Sequence, residues 1–175
     1  MGTELNLIPK QTFDASALVS GTIADARLYN KVMHKFQSQL VTNSITLVDD
    51  NALHWDVKNG DYYHLYLALR IDGPVAGGFR FKLNPSAGSF SIFGFCQDAI
   101  GILAAGGTLP YADLTTAKIY ATISADPTFI LVEGYIEAMD DGTITLQWAQ
   151  GTANATATRL EVGSFAILHG AIPPP

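Results

Sequence analysis

Cysteine occurs once in this sequence, at position 96. A single thiol excludes an intramolecular disulfide framework and leaves the redox compartment open. Its setting, SIFGFCQDA, is apolar, and an inert buried thiol is expected there. Basic residues are scarce too: ten Lys and Arg stand against sixteen Asp and Glu, for a net charge of -6. They are scattered along the chain and form no stripe. Binding to a phosphate backbone runs on clustered Lys and Arg, so no nucleic-acid partner is expected. Charged residues make up only 15% of the chain, against a usual ~25%. A surface so poor in charge implies that part of it does not face water alone. No apolar run reaches the ~18 residues of a membrane span. The segment AIGILAAGG is short and broken by glycine, and MGTELNLIPKQTF has an early acid, so neither a membrane partner nor a signal peptide is read. Gly2 lacks the context of a myristoylation signal.

The residues that carry chemistry are also sparse. None of the four histidines, His34, His54, His64 and His169, has the spacing of a metal-binding pair on a helix. His54 and His64 could be neighbours on paired strands, with two surface histidines as the plainer reading. Asp49-Asp50 and Asp140-Asp141 sit in expected turns, where aspartate is favoured for local hydrogen bonds. Neither pair is followed by the oxygen-ligand series of a calcium loop. GILAAGG lacks the Lys-Ser/Thr of a phosphate loop, and no serine is framed as a nucleophile elbow. Asn154-Ala155-Thr156 matches a glycosylation sequon. Trp55, Tyr62, Tyr66 and Trp148 could form a sugar-binding platform or belong to core and interfaces, as sheet aromatics routinely do. No catalytic residue, cofactor or metal site is expected.

What the sequence does have is apolar residues, 48% of the chain, in period-two alternation. In YYHLYLALRI, Tyr63, Leu65, Leu67, Leu69 and Ile71 point one way, and Tyr62, His64, Tyr66, Ala68 and Arg70 point the other. One face is apolar and the other mixed and aromatic, so this strand is expected at the centre of the core. SITLVDDNALHWDV reads as two short strands around a turn at Asp49, Asp50 and Asn51. IDGPVAGG is a turn-rich connection and FRFKL resumes alternation. Residues 84–113 read as loops with short strands. AKIYATI, FILVEGYIEA and TITLQWAQ follow, the last two joined through MDDGT as an Asp-Gly hairpin, and TATRLEVGSFAILHGA closes the chain. The total is eight to ten strands without a long helix, an antiparallel sandwich or jelly roll. Residues 1–40 lack long alternation and read as an extended arm, with a short helix over 25–36; the β domain spans 41–175.

Two stretches resemble a β-domain of tailed-bacteriophage structural proteins. VTNSITLVDDNALHWDVKNGDYYHLYLAL is similar to its opening, and GYIEAMDDGTITLQWAQGTANATATRLEVGSFAILHG to its ending, with LQWAQ, a small Ala/Thr patch and a final strand. DASALVSGTIADARL is similar to a phrase near the arms of phage fibre proteins. The resemblance covers the two ends of about 41–170 and brackets a divergent middle. It implies a virion structural protein with a jelly-roll body like the tumour-necrosis-factor or C1q heads, assembled as a homotrimer. The chain lacks a fibre's stalk, which favours a capsid decoration (cement) protein bound to the major capsid protein on the capsid exterior. A tail-fibre or receptor-binding tip recognising host surface polysaccharide is the alternative.

Within that reading the arm would grip the capsid through Leu5, Leu7, Ile8, Phe13, Leu18, Ile23, Leu28 and Tyr29, with Arg27 as polar anchor. The Ala/Thr patch would meet symmetry mates, because small side chains allow close approach and threonine hydroxyls can pair without burying a charge. Trp148, Thr156, Thr158 and Leu160 are the expected trimer contacts.

Overall fold

Eleven residues whose burial alternates except at Ala68, Tyr62–Asp72, form the strand around which the molecule is built. Leu65, Leu67 and Leu69 are wholly buried and Tyr63 and Ile71 nearly so, as the period-two pattern requires. Full burial of each such aliphatic side chain stabilises by roughly 1.5–3 kcal/mol. The computed structural model describes residues 30–86, 90–98, 112–120 and 128–171. The arm residues Leu5, Leu7, Ile8, Phe13, Leu18, Ile23, Arg27, Leu28 and Tyr29 lie outside them.

Twelve strands are described: β1 (Asn30–His34), β2 (Gln39–Val41), β3 (Val48–Val57), β4 (Tyr62–Asp72), β5 (Phe79–Pro85), β6 (Phe90–Asp98), β7 (Ala112–Asp113), β8 (Lys118–Tyr120), β9 (Thr128–Ala138), β10 (Gly142–Ala149), β11 (Thr158–Leu160) and β12 (Phe165–Ala171). They make two antiparallel sheets. The larger runs β1-β12-β4-β9-β6-β7, with β11 pairing β4 and β2. The smaller runs β3-β10-β5-β8. No helix occurs among the described residues, which are all-β. One apolar cluster joins the inner faces of both sheets: Leu65, Leu67, Val132, Ile136 and Leu168 from the larger, Leu53, Phe81, Leu83, Leu146 and Trp148 from the smaller. Cys96 lies in β6, opposite Val132; its side chain is outside what is described.

Four features differ from the sequence reading. First, Asn30–His34 is a strand, although a helix had been expected to run to Phe36. It pairs with β12, Val32 opposite Ile167, and Met33 packs on the core; tertiary pairing overrides weak local propensity. With β1 and β2 in the larger sheet, the β body begins before residue 41.

Second, VDDNALHWDV is one strand, and the expected turn is a bulge. Thr145 pairs His54 and Gln147 pairs Asp49, so β3 advances five residues while β10 advances two. The Asp50 side chain holds the extra residues: its Oδ1 accepts the amides of Ala52 (2.9 Å) and Leu53 (2.8 Å). Local hydrogen bonding by aspartate was read correctly, but it bends a strand instead of reversing it.

Third, MDDGT is not a hairpin. It carries the chain from β9 in one sheet to β10 in the other. Among the described residues positive φ is confined to Asn43, Gly60, Gly78 and Gly163, so Gly142 does not adopt the conformation an Asp-Gly hairpin uses. The β3–β4 turn crosses between the sheets in the same way, with Gly60 at φ +83°. The two crossings are tied together. Gly60 N donates to the Ala138 carbonyl (2.7 Å), and the Asp141 carboxylate accepts from Asn59 N (2.9 Å) and Lys58 Nζ (3.1 Å). These bonds hold the Asp141 carboxyl below its ordinary range, the backbone bond from Asn59 being the larger cause.

Fourth, His54 and His64 belong to different sheets. The cross-strand partner of His64 is His169.

Candidate assembly surface

The Ala/Thr patch is an exposed loop with a buried end: Thr152, Ala153, Ala155 and Thr156 are exposed and Thr158 is buried. Gln150, wholly buried, organises it. Its Oε1 accepts from Ser44 N (3.1 Å) and Asn154 N (3.0 Å), and its Nε2 donates to the Thr156 carbonyl (2.8 Å) and, at 3.5 Å, to Thr158 Oγ1. A buried primary amide with all its bonding positions used is a strong local constraint. The small residues let this loop close over the β4–β5 turn: Thr152 N donates to the Gly77 carbonyl (2.7 Å). A Cβ on Gly73 would stand 2.9 Å from Thr158 Oγ1, so glycine is required by that approach. Thr158, Leu160 and Trp148 are wholly enclosed within one chain. They cannot be the trimer contacts expected of them, because no surface remains to touch a mate. Trp148 stacks on Phe79 with ring centroids 5.6 Å apart. Of the four residues Thr156 alone is exposed. It lines a cleft of about 370 Å³ with Asp72, Pro74, Val75 and Arg159, where Arg159 and Asp72 form an ion pair at 3.7 Å.

The four aromatics considered as a sugar platform are also divided. Trp55 and Trp148 are core residues, whereas Tyr62 and Tyr66 lie on the opposite face of β4. That outward face of the larger sheet is the most distinctive surface of the molecule. Antiparallel register sets His169, His64 and Tyr135 side by side in one row, and Val32, Ile167, Tyr66 and Glu133 in the next. His64 stacks on Tyr135 (centroids 5.0 Å) and on His169 (6.3 Å). Phe165 bridges Tyr66 (6.1 Å) and His34 (6.0 Å), and His34 meets Phe36 (6.1 Å). Phe36 is 80% exposed and Tyr135 55%.

The charges on this face already have partners. Glu133 Oε1 lies 2.9 Å from His64 Nε2, and Tyr62 Oη donates to Glu137 Oε1 at 2.8 Å; that bond to a carboxylate raises the Tyr62 pKa. No lysine points outward from this face among the described residues. Arg70 and Arg159 stand at one end, opposite Phe129 and Asp72. The sequence carried the signal for this surface in the mixed, aromatic side of YYHLYLALRI. The contributions of β9 and β12 needed the pairing register to be seen.

Among the described residues no group of three or more His, Cys, Asp or Glu is placed to hold a metal ion. Compared with known proteins, the chain matches no family model, and no curated protein matches its sequence.

Proposed function

We propose that this protein is a bacteriophage capsid decoration (cement) protein, a homotrimer that binds the outer capsid surface and stabilises the head. The observation that carries the reading is the outward face of the larger sheet: ordered aromatics, no outward lysine, and both carboxylates hydrogen-bonded within the chain. Interface cores are enriched in aromatics and depleted of unpaired charge, and this mixed, aromatic face has that composition. A second copy of the chain is the occupant the homotrimer reading supplies, each copy's aromatic rows meeting a different surface of the next in the head-to-tail contact that closes a ring.

Strand order supports a jelly roll. Set aside β2 and β11, which lie off the main path of the larger sheet, and its last two strands β6 and β7, and number the remaining eight along the chain. The sheets then run 1-8-3-6 and 2-7-4-5, the order of a jelly-roll body built from two Greek keys. The resemblance of its opening and ending to a phage β-domain supplies the virion assignment, with the major capsid protein as partner and the arm as the gripping element. Deleting residues 1–29 is expected to leave a folded, self-associated protein that no longer binds capsids. Decoration of empty shells by the truncated form would remove the arm from the account.

The cleft beside Arg159 favours a second reading, a receptor-binding tip for host polysaccharide. A guanidinium, a carboxylate and a threonine hydroxyl around a cavity of this size suit sugar hydroxyls. Binding on a glycan array that is lost in Arg159→Ala would favour this reading over decoration.

A further inference from the structure

We infer that Lys35 closes an intramolecular amide bond onto the side chain of Asn51, with Asp50 carrying the proton. The cluster lies away from the outward face, and its chemistry is independent of what that face meets. Lys35 follows β1 directly, and its side chain and that of Asp50 are both fully enclosed. Its Nζ stands 2.7 Å from Asp50 Oδ2 and 2.8 Å from Asn51 Oδ1. A C=O bond is about 1.23 Å long, so Asn51 Cγ is within about 4 Å of the amine. Reacting atoms need roughly 3–3.5 Å. Asn51 is exposed and belongs to the β3 bulge, so its amide has room to turn its carbon toward the nitrogen, and released ammonia has a way out to solvent.

A nucleophile, a base and an electrophile are thereby in one place. The proton that Nζ must lose has its acceptor in Asp50. Gln39 Oε1, at 3.5 Å, is an amide oxygen and cannot take it. Asp50 is held for the task, because its Oδ1 accepts the amides of Ala52 and Leu53 and its Oδ2 is left to the amine. The carbon of Asp50 is the poorer target, since an ionised carboxylate resists attack and no other carboxylate contacts Nζ to serve as base. In the reaction Asp50 takes one proton from the ammonium. The neutral amine adds to Asn51 Cγ and the new N–C bond forms. A second hydrogen of Nζ passes to Asn51 Nδ2, the Cγ–Nδ2 bond breaks, and ammonia leaves. One ammonium, one carboxylate and one primary amide become one secondary amide, one carboxylic acid and one ammonia, with no oxidant or further reactant consumed. Two buried charges disappear, which removes their desolvation cost, and escape of ammonia draws the reaction forward. The product ties the end of β1, an edge strand of the larger sheet, to the bulge of β3, and restricts the unfolded chain as any cross-link does. The ion pair is the state from which the bond forms: a freshly folded chain holds the pair, and an aged chain holds the amide.

The test is the intact mass and tryptic map of the full chain after prolonged incubation at neutral pH. The expected mass is below the sequence mass by one ammonia. Trypsin cuts after free lysine, so Lys35 should resist it and residues 32–58 should emerge as one peptide lacking that ammonia. Asn51→Ala, a change at an exposed position, should keep the full mass, an unchanged β circular dichroism and a cleavable Lys35. Asp50→Asn, which cannot take the proton, should keep the full mass as well. A wild type of full mass overturns the inference. So does a loss of ammonia with Lys35 still cut, the signature of an asparagine closing on its own backbone as a cyclic imide. A blocked Lys35 that persists in Asn51→Ala places the bond elsewhere and overturns it too. Undiminished reaction in Asp50→Asn overturns the role given to Asp50.

Discussion

Removing the ammonium of Lys35 gives the sharpest test of how this fold is held. Lys35 and Asp50 form an ion pair at 2.7 Å with both side chains fully buried. The remaining bonds of Lys35 Nζ go to Asn51 Oδ1 (2.8 Å) and Gln39 Oε1 (3.5 Å), so all three donors are used. Its backbone is fixed as well, with Lys35 N donating to Ser164 O and Gly163 N to Lys35 O. The pair locks the β1–β2 connection onto the β3 bulge. In Lys35→Met a similar volume remains, but the Asp50 carboxylate stays buried with only the Ala52 and Leu53 amides. Leaving one member of a buried pair uncompensated costs ~3–5 kcal/mol. For a domain of this size that is roughly 6–20 °C in Tm, at ~2–4 °C per kcal/mol. Urea unfolding at fixed protein concentration measures it, with an unchanged m-value confirming that stability alone has moved. The double variant Lys35→Met/Asp50→Asn should recover at least ~1 kcal/mol over the single change, since the uncompensated charge is gone. A loss below ~1 kcal/mol in Lys35→Met, or strict additivity of the two changes, would refute the reasoning.

Other expectations follow from the same geometry. Gln150→Ala strands the amides of Ser44 and Asn154 and the Thr156 carbonyl, and should cost ~2–4 kcal/mol by thermal or urea melts. Gly73→Ala drives a methyl against Thr158 and should cost ~1–3 kcal/mol, partly recovered when Thr158→Ala removes the hydroxyl. Asp141 has a lowered carboxyl pKa in the folded chain. Its contribution is therefore present above the unfolded value near 3.8 and lost as pH falls through the lower folded one; Asp141→Asn should flatten the stability profile in that acid window. Tyr63 is raised well above the ordinary phenol range by burial first and by its bond to Asp61 second. Its stabilising effect is fully present below the ordinary phenol value near ~10 and is lost progressively as pH rises from there through the higher folded value, so ultraviolet titration should find this phenol still protonated when exposed tyrosines have ionised, a difference absent in Tyr63→Phe.

Where the sequence was read correctly, the information was local and two-sided. Tyr62–Asp72 declares both its faces by alternation, and Phe79, Phe81 and Leu83 do the same in β5. Where the reading failed, the deciding partner was distant. Asp49-Asp50-Asn51 looks like a turn until Lys35, fifteen residues earlier, is seen to bury Asp50. MDDGT has the composition of a hairpin, but its flanking strands pair with β4 and β5 instead of with each other. In the Ala/Thr patch the Thr158 end is set by Gln150 and Gly73 within the same chain, while Thr152, Ala153, Ala155 and Thr156 stay exposed. The outward face was half visible, because β4 showed its aromatic side and only the register added Tyr135, Phe165 and His169 to it.

The central claim is that the aromatic face of the larger sheet joins copies of this chain. Multi-angle light scattering on the full chain at pH 6, wild type beside Tyr135→Lys, tests it most directly. Tyr135 is largely exposed in the single chain, so the substitution should spare the fold while placing a cation on that face. The account predicts a trimeric mass for the wild type and a folded monomer for the variant. A wild-type monomer, or a trimer indifferent to the lysine, would contradict it.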